Sequence, residues 1–103
     1  MLIENSYKIG DVVTIKLKSG EELVGRVDAD DEKAIKVNTP LTLVANEKGI
    51  GLQQFLFTAD ITKSYVIKHE AITLVTATRP EFTEAYNKQT SSLHLPQKPS
   101  IIT

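Results

Sequence analysis

The chain has 103 residues, of which 12 are Lys or Arg and 13 are Asp or Glu, and it contains no cysteine. This length suits one domain, the near-neutral charge excludes a globally basic field for nucleic acid, and the lack of cysteine excludes disulfides and thiolate metal sites. Residues 1–5 lack a signal-peptide pattern, and no apolar run approaches the roughly 18 residues of a membrane span, so we expect a cytoplasmic protein with no membrane contact.

The first part of the chain predicts two strands joined by a short turn. Residues 11–18 alternate apolar and polar side chains, which is typical of a half-buried strand. A Ser-Gly pair follows and predicts a turn. The second strand covers 22–28 and contains Gly25, which indicates a sharp bend or a close approach of another backbone.

The middle of the chain is less regular. Residues 34–44 predict a third strand, with Pro40 at a kink or an edge because proline donates no hydrogen bond to a ladder. Residues 46–51 are interpreted as a flexible loop. Residues 53–67 are rich in β-branched and aromatic side chains, but the run exceeds one average strand, so we expect it to bend or break near residues 58–60.

A last strand is predicted over 72–77, and residues 80–89 favour a short helix that begins at Pro80. The remaining residues are rich in Ser, Thr and Pro and are expected to be loose. Five short strands with little helix predict an all-β protein with a small, strongly bent antiparallel barrel over 1–78. The helix and a flexible tail would occupy 79–103. The strand count leaves the SH3, OB and Sm types of barrel open.

The glycine positions favour the Sm type. From Gly10 to Val37 the chain resembles the first signature of the Sm/Lsm family, which has alternating apolar positions, a charged-Gly turn, a bent strand with an internal Gly, an Asp loop and an apolar strand. The matching residues are Val13, Ile15, Leu17, Gly20, Gly25, Val27, Asp30, Ile35 and Val37. Residues 66–72 resemble the second signature, an apolar pair, Arg-Gly, two polar residues and Ile. The chain therefore resembles a divergent member of this RNA-binding ring family.

The resemblance implies a five-stranded, SH3-like or Sm-like barrel and homo-oligomeric rings, usually of six or seven subunits, in which the fourth strand of one subunit pairs with the fifth strand of the next. The two strands concerned, about 61–67 and 72–77, are apolar and lack proline, and such edges are usually covered. A closed ring would cover them, and the alternative is a monomer in which residues 80–103 fold over the edge. The predicted subunit interface consists of Tyr65, Val66, Ile67, Ile72, Leu74 and Val75.

The resemblance also implies RNA binding by the loop after the second strand and by the Arg-Gly turn. The Asn and stacking positions of the family fall on Ala34 and Glu32, and its Arg and Gly positions fall on Lys68 and His69. Alanine cannot hydrogen-bond a base edge and lysine lacks the planar fork of arginine, whereas histidine can stack on a base. The predicted RNA site is a variant pocket of Asp30, Glu32, Ala34, Lys68 and His69. The alternative is an adaptor ring that assembles proteins without nucleic acid.

Other chemistries find little support in the sequence. The acidic residues within 28–32 lack the spacing of an EF-hand loop and are interpreted as a solvated turn. His69 and His94 are far apart, so we predict no metal site and no cofactor. The serines have no nucleophile-elbow context, and the short Gly-Ile-Gly run at 49–51 precedes no helix, so we predict that the chain is not an enzyme.

Overall fold

A computed structural model describes residues 7–60 and 62–93. This part of the chain forms six strands and one helix: β1 (Val12–Leu17), β2 (Glu22–Asp30), β3 (Ala34–Asn46), β4 (Gly49–Gln54), β5 (Ser64–Lys68), β6 (Ile72–Ala77) and α1 (Pro80–Leu93). A 3-10 turn at His69–Ala71 joins β5 to β6. The strands form one antiparallel sheet in the order β4-β3-β2-β1-β6, with β5 also paired to β3. The sheet is strongly curled but not closed, and the predicted all-β fold with a short C-terminal helix is confirmed.

The strand count is six rather than five because the long apolar run breaks. Its first two residues end β4, which begins at Gly49, and its last four residues begin β5; these two strands pair with different halves of β3. The flexible loop predicted over 46–51 is wrong, since β3 and β4 form a tight hairpin with its turn at residues 47–48. Gly49 ends this turn with a φ of 128°, a conformation that side-chain-bearing residues rarely adopt.

The kink predicted at Pro40 is a bulge in β3. Thr39 and Pro40 together face Gly25 of β2, and Thr39 has a φ of 45°. A Cβ atom on Gly25 would lie 3.3 Å from the Cβ of Val37, which confirms the predicted close approach. Because the bulge bends β3, the first half of this strand pairs with β5 and the second half with β4.

The curled sheet carries apolar side chains on both faces. The inner core consists of Val13, Ile15, Leu23, Val27, Ile35, Val37 and Ile72. On the outer face, α1 packs Tyr86 against Val12, Val24 and Leu41. The helix continues four residues beyond its predicted end at 89. Thr90 is buried and its Oγ1 donates to the carbonyl oxygen of Tyr86 at 2.8 Å, so tertiary contact supports a segment of low helix propensity.

Two further observations concern membrane crossing and the predicted features that lie outside the described residues. Among the described residues, no helix has both the length and the apolar character needed to cross a bilayer. The predicted loose tail after α1, with His94, lies outside the described residues, as does Ile61 of the long apolar run.

Candidate nucleic-acid interface

Two connections meet at one end of the curled sheet. They are the β2–β3 loop with its flanks, residues 30–34, and the end of β5 with the 3-10 turn, residues 68–70; we call this region the corner. The backbone N–H of His69 donates to the carbonyl oxygen of Lys33 at 2.9 Å. Ala34 and Lys68 are direct partners in the β3–β5 ladder. Two segments that are distant in sequence are thus held together by backbone hydrogen bonds.

Asp31 shapes the loop of the corner. Its Oδ1 accepts hydrogen bonds from the backbone N–H groups of Lys33, at 2.8 Å, and Ala34, at 2.9 Å. The hydrogen bond from Ala34, then that from Lys33, holds the pKa of Asp31 below its ordinary value, and His69 adds a smaller effect in the same direction. The carboxylate of Asp31 therefore orders the loop. In the sequence, Asp31 is only one of several neighbouring acidic residues.

A cavity of about 450 Å³ opens at the corner. Its lining consists of Glu32, Lys33, Ala34, Val66, Lys68, His69 and Glu70. Four of the predicted RNA-site residues therefore share one cavity, and its size is in the range of ligand sites. The two glutamates balance the two lysines in charge, so the cavity has no strong field for a polyanion.

Asp30, the fifth predicted RNA-site residue, is engaged by two neighbours. Its Oδ2 accepts a hydrogen bond from the Tyr7 hydroxyl at 2.7 Å, and its Oδ1 lies 2.9 Å from Nε2 of His69. Because an ionised carboxylate only accepts, Nε2 of His69 donates to it. Nδ1 of His69 then has no hydrogen-bond partner among the described residues.

Tyr7 belongs to this site but is not predicted from the sequence, and neither are Lys33 and Glu70 of the cavity lining. Burial, then its hydrogen bond to Asp30 and the charge of that carboxylate, raises the pKa of Tyr7 to about 12. The hydroxyl therefore keeps its proton and donates to Asp30 over the whole neutral range. Tyr7 precedes Asp30 by 23 positions, and no motif connects the two, so only the fold brings them together.

The carboxylates within 28–32 do not converge. Asp28 accepts a hydrogen bond from Ser64, Asp30 contacts Tyr7 and His69, and Asp31 binds the loop backbone. Within residues 7–60 and 62–93, no three His, Asp or Glu side chains are grouped in a way that would hold a metal ion.

The predicted interface residues lie on two strands that each have a ladder partner on one side only. Within the described part of the chain, β5 pairs with β3, and β6 pairs with β1. Val66 is 64% exposed and Leu74 is 50% exposed, although both are apolar. Ile67 and Val75 pack against the inner core, and Ile72 belongs to it. The exposed apolar surface of these strands is therefore concentrated on Val66 and Leu74.

Comparison with known proteins gives a structural likeness. No family model matches the sequence, and no curated protein matches it. Among solved structures, a heptameric archaeal Sm protein is similar, with a TM-score of 0.48 and 14% sequence identity, over 69% of this chain and 90% of that chain.

Proposed function

We propose that this chain is a divergent Sm-like protein of the cytoplasm that forms a homo-oligomeric ring and binds single-stranded RNA at the corner. The observation that carries the RNA proposal is the shared cavity, in which Lys68 and His69 lie beside the apolar side chains of Ala34 and Val66. A cation for phosphate next to a ring that can stack on a base is a usual combination for single-stranded nucleic acid.

The ring proposal is supported by the free edges of β5 and β6. Each edge carries backbone N–H and C=O groups that have no ladder partner within the described residues. Pairing β5 of one copy with β6 of the next would satisfy both edges and cover Val66 and Leu74. Such head-to-tail contacts leave neither of these two edges free when the assembly closes, and we propose a ring of six or seven copies.

Light scattering during size-exclusion chromatography tests the ring. The expected mass is six or seven times the 11.4 kDa of one chain. Leu74→Lys places a charge on the β6 edge and should reduce the assembly to monomers. Ile9→Lys is the matched control, because Ile9 is similarly exposed but lies outside β5 and β6. A wild-type monomer at micromolar concentration contradicts the ring.

The cavity suggests modest RNA affinity. Lys68 offers one ammonium group for a phosphate, and His69 offers a ring for stacking together with the unengaged Nδ1. Glu32 and Glu70 oppose the approach of further phosphates. Because each phosphate neutralised on a single strand adds only about 0.7 to the salt slope, we expect a shallow dependence of affinity on salt.

Fluorescence anisotropy with short U-rich and A-rich oligonucleotides, at roughly 50 and 200 mM salt, tests the RNA proposal. His69→Ala should weaken binding by about tenfold, since stacking on one base contributes about 1–3 kcal/mol. Lys68→Ala should lower the salt slope by about 0.7. Lys48→Ala is the control, because Lys48 carries the same charge on the β3–β4 turn, outside the cavity.

Two outcomes contradict RNA binding at the corner. In the first, RNA binds tightly and the double variant of Lys68 and His69 binds equally well. In the second, no oligonucleotide binds at low salt. The second outcome favours an adaptor ring without nucleic acid, a candidate that rests on the same free edges and on the two glutamates at the cavity.

A further inference from the structure

A second cavity, of about 420 Å³, lies between α1 and the outer face of the sheet. Its lining consists of Arg26, Asp28, Asn38, Tyr86, Asn87, Thr90 and Ser91. None of these residues lines the corner cavity. We call this space the helix cavity. Its volume is again in the range of small-molecule sites, and every residue of its lining carries a polar group.

One wall of the helix cavity is held rigidly. The Tyr86 hydroxyl is directed at the carbonyl oxygens of Asn38, at 2.6 Å, and Thr39, at 3.0 Å. The Arg26 guanidinium lies 5.8 Å from the centroid of the Tyr86 ring, and its Nη1 donates to the carbonyl oxygen of Gly10 at 2.9 Å. A ligand would therefore meet a wall that needs little further ordering.

Two polar groups at the solvent-exposed rim of the helix cavity, on Asp28 and Asn87, form fewer hydrogen bonds with the described residues than they could. Oδ2 of Asp28 accepts a hydrogen bond from Ser64, whereas its Oδ1 accepts none from the described residues. Oδ1 of Asn87 accepts a hydrogen bond from Arg26, whereas its Nδ2 donates to none of the described residues. The cavity thus offers a carboxylate acceptor and an amide donor.

The charges of the helix cavity restrict its ligand. Arg26 and Asp28 are the charged residues of the lining, and they balance each other. An isolated anion would face the free carboxylate oxygen, and Arg26 is already engaged by Gly10, Asn87 and the Tyr86 ring. A neutral ligand that has a donor beside an acceptor on one edge meets the unused groups without leaving a charge unpaired.

We propose that the helix cavity binds a nucleobase that carries an amine beside a ring-nitrogen acceptor, the edge shared by adenine and cytosine. The amine would donate to Asp28, and the ring nitrogen would accept from Nδ2 of Asn87. Acidic side chains accept from the cytosine amine, and asparagine pairs with adenine, in known base contacts. Uracil would turn a carbonyl oxygen toward the carboxylate. The choice of a nucleobase among planar ligands rests on the proposed RNA function.

Nuclear magnetic resonance of the full chain labelled with ¹⁵N tests this site, with adenosine, cytidine and uridine as the probes. Nucleosides carry no phosphate, so the charge of Lys68 adds little to their binding. We expect adenosine and cytidine to shift the side-chain amide signals of Asn87 and to bind about tenfold more tightly than uridine, as one good base contact predicts.

Two variants locate the contact. Asp28→Asn should weaken the binding of adenosine and cytidine by about tenfold, because an amide replaces the carboxylate acceptor. Asn87→Ala should cause a similar loss and provides a second test if the first variant fails to fold. Glu84→Gln is the matched control, since it removes one negative charge from an exposed position of α1 outside the cavity lining.

Several outcomes overturn the proposal. They are equal binding of uridine, no shift at Asn87, or full binding by folded Asp28→Asn protein. If acetamide shifts the side-chain amide signals of Asn87 equally, the ligand of the helix cavity is an amide-bearing partner and not a nucleobase. His69→Ala separates this proposal from the previous one: it should weaken corner binding of RNA about tenfold but leave the nucleoside shifts at Asn87 intact. If the nucleosides bind while RNA does not depend on the corner, only the corner proposal fails.

Discussion

A tyrosine hydroxyl forms hydrogen bonds between separate parts of the chain both at the helix-covered outer face and at the corner, but these hydrogen bonds have different roles. Tyr86 is 1% exposed and joins α1 to the backbone of β3. Tyr7 is only half-buried and binds Asp30, which in turn contacts His69 at an open cavity. The Tyr86 contact joins two elements of the core, whereas the contacts of Tyr7 and Asp30 orient the accessible side chain of His69. Stability should depend on the first, and binding on the second.

Replacing Tyr86 should have the largest effect. Tyr86→Phe removes the hydroxyl that is directed at the part-buried carbonyl oxygen of Asn38 and the buried one of Thr39, and should lower the free energy of unfolding by about 1–3 kcal/mol. Tyr86→Ala also opens a cavity in the core and should cost about 3–5 kcal/mol. Urea denaturation followed by circular dichroism measures both values.

The control for this experiment is Tyr65→Phe. The Tyr65 hydroxyl donates to the carbonyl oxygen of Asp60 in an exposed region, so its loss should change stability by less than about 0.5 kcal/mol. Equal losses in Tyr65→Phe and Tyr86→Phe would remove the distinction between the outer face and the rest of the molecule.

Changing Asp30, which accepts a hydrogen bond from His69, should have a smaller effect. This effect should fall on RNA binding rather than on folding. Asp30→Asn weakens the hydrogen bond to Nε2 of His69 and should reduce RNA affinity about fivefold, the equivalent of one hydrogen bond of about 1 kcal/mol. Tyr7→Phe, one step further from the cavity, should reduce it less. The ring ¹⁵N shifts of His69 should move in both variants, which a purely structural role would not cause. Unchanged shifts in Asp30→Asn would show that Asp30 does not position the imidazole.

The last effect is expected only at high pH. Burial is the largest cause that raises the pKa of both Tyr7 and Tyr86 to about 12, from an ordinary value of 10.0. Because the folded protein holds these protons more tightly, the stability they provide is complete below pH 10 and is lost as the pH rises through about 12. Tyrosinate absorbance, recorded alongside the unfolding signal, should show a titration step near pH 12. The amplitude of this step should be smaller in Tyr86→Phe. Complete ionisation of all three tyrosines near pH 10 in the folded protein would contradict this.

Much of the fold follows from local pattern. The alternation in 11–18 predicts β1, and Gly25 marks the place where the bulge of β3 lies close to β2. The hairpin at 46–51 is missed because Gly49 and Gly51 have weak strand propensity, and they form β4 only because β3 provides a ladder. The length of α1 is missed for the same reason, since burial of Thr90 overrides propensity.

The candidate site is predicted in part, because its two segments carry a pattern in sequence and the ladder between Ala34 and Lys68 brings them together. The contacts of Tyr7 with Asp30 and of Arg26 with Tyr86 join residues distant in the chain. Neither has a local signal, because both depend on how the curled sheet brings separate elements side by side. Sequence therefore indicates four of the residues that line the corner cavity, but not Tyr7, which binds Asp30 beside it.

The most direct test of the account measures two quantities on two variants: thermal stability and RNA affinity of His69→Ala and Tyr86→Phe. We predict that His69→Ala loses about tenfold in RNA affinity with little change in unfolding temperature. We predict that Tyr86→Phe unfolds several degrees lower while the protein that remains folded binds RNA at the corner with unchanged affinity. If both variants lose affinity and stability in parallel, the separation between a stabilising outer face and a binding corner is refuted.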